Sequence, residues 1–357
     1  SSDWSSDVCS SDLDYNPDQW QATPEIVDDD FRLMKLAGCN TFAVGIFAWT
    51  SYECKEGEYH FGWLDDIMDR MAAADRKVIL ATPSGAKPAW MSKRYPEIRR
   101  VNRDGLREPH GRRHNHCWTS PVYREKVRTI NTKLARRYAG HPALGMWHLS
   151  NEYNGACFCD LCLGQWREWL LDRYGTLEAL NAAWWASFWS HTFTDWSEID
   201  PRDGSMDGMQ LDWNRFNNWQ VRGFIEWESV PLREHTPDIP VTTNFMGYHG
   251  GLNYAYLSEA VDLVADDQYP KYDSHNPDLF RSAACISMKD DLYRCFKPGR
   301  PWMLMESCPD IPQYTSPPRL KRPGLHRAEM LQAIGHGAEG TCYFQWRKGR
   351  GSQEKFH

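Results

Sequence analysis

The sequence predicts an α/β fold, a (β/α)8 TIM barrel, and three observations carry that expectation. Short, β-rich apolar runs alternate with longer amphipathic stretches along nearly the whole chain. The runs are apolar almost throughout instead of alternating with polar residues, which is how strands covered by helices on both faces read. No glycine-rich phosphate loop follows any of them, so a doubly wound sheet is the weaker alternative.

The strand-like runs come in order at 39–47, 77–83, 143–150, 239–246, 261–269, 300–307 and 340–346, with amphipathic, helix-like segments at 28–37, 64–74 and 123–138 between them. A stub at 13–15 brings the count to eight strands, which over 357 residues suits a barrel with insertions. Ser-Ser-Asp recurs at 1–3, 5–7 and 10–12 with no basic or apolar stretch beside it, so residues 1–13 read as a non-native low-complexity segment and not as a targeting signal. Residues 14–357 then form one catalytic barrel domain, expected to be incomplete at both ends. Its first strand is largely replaced by the serine-rich segment, and only eleven residues follow 340–346 where a closing helix would stand.

Charge and composition narrow the function classes. With 41 basic and 48 acidic side chains the chain carries −7, which offers no footprint for nucleic acid or anionic lipid. The longest apolar stretch, 42–49, is far too short to cross a membrane. The 18 Trp, 16 Tyr and 14 Phe suit a large core or a pocket for sugars, whose flat apolar faces are edged by hydroxyls. Most of the eleven cysteines are scattered singly through apolar segments, and no signal peptide is visible, which points to the cytoplasm.

Reactive groups of such barrels sit at the C-terminal ends of strands. Two carboxylates occupy that position: Glu152, after Asn151, ends the run 143–150, and Glu306 ends the run 300–307. A carboxylate there is costly to bury unless it is paired or functional. Two of them facing each other across the mouth are what glycosidic-bond cleavage requires. A second cluster is Cys157-x-Cys159-x-x-Cys162, following strand 4, with Cys117 as a distant fourth ligand and His114 and His116 as alternatives. Four thiolates would close a tetrahedral structural zinc site. A zinc hydrolase using one of those histidines is a rival reading that a closed four-cysteine site would eliminate.

The residues also carry a resemblance. Tyr15-Asn16-Pro17-Asp18-Gln19-Trp20, Gly45-Ile46-Phe47-Ala48-Trp49, Ala81-Thr82-Pro83-Ser84-Gly85-Ala86, Ser150-Asn151-Glu152-Tyr153, the cysteine cluster, Thr243-Asn244-Phe245-Met246 and Met305-Glu306-Ser307 follow in order. Together they resemble glycoside hydrolase family 42, the β-galactosidases of a retaining barrel clan. The resemblance implies that Glu152 is the general acid/base and Glu306 the nucleophile of a double displacement on terminal β-D-galactosides. It places substrate contacts at Asn151, Arg113 (with Arg112 competing), Tyr314, Glu354 and His357, and zinc on Cys117, Cys157, Cys159 and Cys162. Intact members are homotrimers. Expected alternatives are an α-L-arabinopyranosidase and a catalytically impaired carbohydrate-binding fragment.

For the retaining reading the carboxyl groups should stand about 5–5.5 Å apart. Repulsion from ionised Glu306 is expected to raise the pKa of Glu152. Among the aromatic residues, Trp49, Trp147 and Trp346 are the candidates for lining the pocket. Trp184, Trp185, Phe188, Trp189 and Trp196 form either a core or a subsite wall, and His148 and His191 are core histidines more readily than site residues.

Overall fold

The computed structural model describes residues 10–270, 278–310, 319–351 and 354. Eight parallel strands close into a barrel: β1 (Ser10–Tyr15), β2 (Thr41–Val44), β3 (Lys77–Ala81), β4 (Leu144–His148), β5 (Val241–Phe245), β6 (Leu263–Gln268), β7 (Trp302–Ser307) and β8 (Ala338–Tyr343). Each pairs with its sequence neighbours, and β1 pairs with β8 to complete the ring. Every expected run holds a strand, trimmed by a few residues where the chain turns onto the mouth.

The first strand differs from expectation. It begins at Ser10, with Ser10 opposite Gly340 of β8 and Asp12 opposite Thr41 of β2, so it is a full six-residue strand and not a stub at 13–15. Backbone pairing accounts for this. A gap between two parallel edges offers ladder partners to any backbone that can extend, and serine and aspartate can do so despite low strand propensity.

Strand parity decides what faces where. In β2, Phe42 and Val44 join the large core between strands and helices, whereas Ala43 belongs to a small cluster filling the barrel with Ile79, Met146, Ala265, Met303 and Met305. In β4, Met146 points inward and Trp147 outward. The helix Pro24–Ala37 shows why these segments are helical. Proline opens it, an apolar stripe through Val27 and Met34 is buried, and Gly38 ends it in the left-handed conformation at φ 71°. The helix Pro121–Tyr138 opens the same way, with the Ser120 side chain accepting the Tyr123 N–H.

Between β4 and β5 the chain makes a helical excursion with its own core. Trp166, Trp184, Trp213 and Phe216 pack there from the helices Asp160–Tyr174, Leu177–Trp184 and Asp207–His235. The last of these, 29 residues long, also packs along Pro121–Tyr138 and reaches under the barrel mouth. No helix among the described residues is long and apolar enough to cross a membrane.

Candidate active site

Glu152 and Glu306 stand at the C-terminal ends of β4 and β7, with two strands between them one way round the barrel and four the other, and converge across the mouth. Both are buried. One carboxylate oxygen from each, and one from Asp267 at the end of β6, lie within 4.8 Å of one another. Three carboxylates so close in a buried place cannot all ionise.

The strain of that crowding falls on Glu306 and Asp267. Burial first, then repulsion from Glu152, pushes Glu306 up to about 8. Burial and the charges of Glu306 and Glu152 hold Asp267 well above the usual carboxylate range. The guanidinium of Arg113 makes a short ion pair with the Glu152 carboxylate, and its charge opposes the rise at Glu306.

Local structure explains how each group is held. The Glu152 N–H donates to Asn244 Oδ1 at 2.9 Å, and the Ser150 N–H donates to Thr82 Oγ1 at 2.7 Å. Glu306 receives Asn244 Nδ2–H on Oε1 at 2.9 Å and the Tyr269 hydroxyl on Oε2 at 2.6 Å. Asn151 fits between the two halves. Its Oδ1 accepts the Asn244 Nδ2–H at 2.9 Å, and its side-chain amide lies 3.1 Å from both Arg113 Nη1 and Glu306 Oε1. The Arg113 loop is pinned by the His114 N–H donating to the Gly85 carbonyl at 2.8 Å. Gly85 has a packing role too: a Cβ there would meet the Phe47 ring at 2.7 Å, and Phe47 lies 5.6 Å beneath the Arg113 guanidinium.

A cavity of about 120 Å³ opens beside the pair, bounded among others by Asp14, Phe47, Arg113, Glu306, Phe344 and Glu354. Of the expected substrate residues, Asn151, Arg113 and Glu354 are thus brought together with Glu152 and Glu306. Arg113, not the exposed Arg112, is the arginine of the site. Tyr314 and His357 lie outside the described residues. Sequence reasoning assigned no site role to Asn244, Asp267, Tyr269 and Asp14. Asn244, Asp267 and Asp14 are polar residues near the C-terminal ends of barrel strands, which is the one signal that marked them.

The aromatic expectations divide. Trp49, Trp147 and Trp346 do not line the cavity. The Trp49 indole N–H donates to Glu53, that of Trp147 to Thr236 and that of Trp346 to Asp30, at 2.9–3.0 Å, and all three face the helical shell. Strand parity turns Trp147 outward, Trp49 opens the short helix Trp49–Tyr52 and Trp346 lies beyond the end of β8, so Phe47 and Phe344 supply the rings instead. Trp184 is core, whereas Trp185, Phe188 and Trp189 are 77, 67 and 71% exposed. His148 is buried, with Nε2 3.0 Å from Asn244 Oδ1, and burial lowers its pKa to about 4. The His191 ring lies 3.4 Å from Ser205 Oγ and packs edge-on against Trp189.

Cys117, Cys157, Cys159 and Cys162 converge into one buried cluster with sulfurs within 4.8 Å of one another. The Cys117 sulfur lies 3.5 Å from that of Cys159 and 3.4 Å from that of Cys162. Tetrahedral zinc with Zn–S bonds of about 2.3 Å has sulfur–sulfur edges of roughly 3.8 Å, so the donor set fits a metal ion with little adjustment. Arg100 and Arg124 lie near these sulfurs, which suits a cluster that stays anionic after binding a divalent cation. His114 and His116 take no part. His116 stacks on Tyr123 at 4.1 Å within an aromatic cluster that also holds His114.

Fold and site together define a (β/α)8 barrel with paired buried carboxylates at its mouth, the arrangement that glycosidic-bond cleavage uses. A family model described as "Beta-galactosidase", glycoside hydrolase family 42, matches residues 14–357, and the chain belongs to that family. It is 50% identical over 348 residues to a β-galactosidase of Alicyclobacillus acidocaldarius, covering 96% of this chain and 50% of that protein. It is likewise 50% identical to a β-galactosidase of Bacillus subtilis, covering 96% of this chain and 53% of the relative. The solved family 42 β-galactosidase from G. stearothermophilus, as its catalytic mutant, superposes with a TM-score of 0.96 at 48% identity, over 99% of this chain and 53% of that one. The chain spans about half the length of the curated relatives it matches.

Proposed function

We propose that the chain is the catalytic barrel of a retaining β-galactosidase. The observation that carries this is the approach of Glu152 and Glu306 oxygens to within 4.8 Å. Retaining enzymes keep their carboxyl groups about 5–5.5 Å apart, whereas inverting ones need roughly 6.5–9.5 Å to admit a water. In this reading Glu306 attacks the anomeric carbon, and Glu152 gives its proton to the departing glycosidic oxygen. Water, deprotonated by the same Glu152, then hydrolyses the galactosyl ester.

The pair holds one proton between its two carboxyl groups, which is the number the first step consumes. In the free site Arg113 neutralises Glu152 and the proton sits on Glu306. Glycone binding draws Arg113 onto a sugar hydroxyl, leaving Glu152 as the better home for the proton and Glu306 ionised for attack. Asn151 is placed for the 2-hydroxyl, Glu354 for a hydroxyl further round the ring, and Tyr314 and His357 are assigned to the glycone as the family resemblance implies.

Zinc is assigned to Cys117, Cys157, Cys159 and Cys162. A closed four-thiolate site leaves no position for water, so it supplies structure: it braces the segment just beyond Glu152 against the loop carrying Cys117. The scattering of most cysteines singly through apolar segments supports a reducing, cytoplasmic setting. A homotrimer is supported by the solvent-facing Trp185, Phe188 and Trp189; light scattering of wild type and Trp189→Ser tests it, and equal masses would remove that support.

The deciding experiment is hydrolysis of a nitrophenyl β-galactoside followed by NMR of the first-released sugar, beside Glu306→Gln. Release of the β-anomer by wild type alone is expected. Equal rates for both proteins, or release of the α-anomer, would defeat the proposal.

A further inference from the structure

We propose that Asn244 is a positioning residue that locks the acid/base segment and the nucleophile carboxylate into one rigid unit. The inference rests on the two-carboxylate reading above and adds the device that sets their mutual geometry.

Asn244 is fully buried at the end of β5, between the strands that carry the two glutamates. All of its polar capacity is committed. Oδ1 accepts the Glu152 N–H at 2.9 Å and lies 3.0 Å from His148 Nε2. Nδ2 faces Asp267 Oδ2 at 2.7 Å and Glu306 Oε1 at 2.9 Å. Because Oδ1 accepts a backbone N–H, the amide orientation is determined, and Nδ2 donates among Asp267, Glu306 and Asn151 Oδ1, the last at 2.9 Å. His148 and Asp267 thus act through Asn244, and Asn244 acts on the pair.

The backbone shows why such an anchor is needed. Ser150 and Glu152 both adopt left-handed conformations, at φ 51° and 47°, a costly arrangement for two non-glycine residues in three. The first is held through Thr82, whose hydroxyl donates to buried Glu228 at 2.7 Å. The second is held by Asn244. A group that fixes the Glu152 backbone with one atom and the Glu306 carboxylate with the next translates strain at one reacting centre into position at the other.

The groups facing Glu306 are Glu152, Arg113, Tyr269, Asp267, Asp14 and Glu354. Asn244 adds an uncharged donor, which favours the ionised carboxylate. Asn244→Asp keeps the shape and deletes that donor. We expect kcat to fall about 100-fold with KM within about threefold, since a displacement of about 1 Å costs that much. Glu306, followed by carboxyl-13C NMR of the full chain and assigned by difference against Glu306→Gln, should titrate about one pH unit higher.

A role in folding alone would lower the melting temperature without moving that titration or splitting kcat from KM. If the Asp variant does not fold, Asn244→Ser is read in its place, with the same loss expected. A folded variant with kcat within threefold of wild type and an unmoved Glu306 titration overturns the proposal. If wild type proves inert on β-galactosides while the titration still shifts in the variant, the galactosidase reading fails and the positioning role stands.

Discussion

The barrel mouth and the cysteine loop each gather acidic groups into a buried place, and they resolve the conflict in different ways. At the mouth, Glu152, Asp267 and Glu306 crowd together with a single guanidinium at hand, so protons stay on and neutral amides and phenols supply hydrogen bonds. In the loop, four cysteine sulfurs stand together with the Val101 N–H and the Thr119 hydroxyl beside them, neutral groups that cannot balance four thiolates, and a divalent cation would supply the counter-charge. Hard carboxylates beside movable protons make a site that can change state during a reaction. Soft thiolates around a closed ion make one that cannot. The first arrangement suits chemistry, the second bracing.

The sharpest way to break this comparison is to remove the reacting groups. Glu306→Gln should lower kcat/KM on a nitrophenyl β-galactoside by roughly 10⁴-fold or more, with circular dichroism unchanged. Glu152→Gln should cost about 10²–10⁴-fold, and less with a leaving group that needs no protonation. A loss for Glu152→Gln that does not depend on the leaving group would contradict its role as proton donor. Wild-type kcat/KM should decline above pH 8, because burial and the Glu152 charge hold the last proton of the pair to about 8 and only the singly protonated pair is competent. A rate still rising at pH 9 would refute that sharing of one proton.

The loop should respond in the opposite sense. Chelation, or Cys157→Ser, is expected to lower the melting temperature by about 10 °C, a few kcal/mol for a domain of this size. Elemental analysis should find one zinc per wild-type chain. No metal and an unchanged melting temperature would return the cysteines to the status of core thiols.

The smallest effect connects the two regions through stability. Burial and the Glu152 charge hold the Glu306 proton up to about pH 8 in the folded chain, against an ordinary carboxyl value of 4.5 when unfolded. Between those values the native state holds more protons, so wild-type stability falls as pH rises through that window. Glu306→Gln lacks the titration. Its advantage should be absent at pH 4 and reach a few kcal/mol at pH 9, read from urea unfolding at each pH. Parallel curves for the two proteins would show that Glu306 carries no such proton.

Much of this was legible in the sequence. Strands buried on both faces announce themselves as apolar runs, so all eight were anticipated within a few residues, apart from the first. There, ladder pairing with β8 and β2 recruited residues that local propensity would leave out. Glu152 and Glu306 were legible because a charge ending an apolar run is anomalous wherever the strand points. The orientation of Trp147 was not, since a one-residue change of parity exchanges pocket for helical shell. Asn244 and Asp267 were present as polar residues in strands, but nothing along the chain says that their tips meet.

The sequence by itself determined the barrel, the paired glutamates and the cysteine ligands, because each is a property of residue type at a strand end or in a tight local spacing. Only the tertiary structure decided which carboxylate bears the repulsion, which arginine reaches Glu152, and that one buried asparagine joins both reacting groups. Those facts depend on distances of about 3 Å between strands far apart in sequence, where Coulomb and hydrogen-bond energies change most steeply.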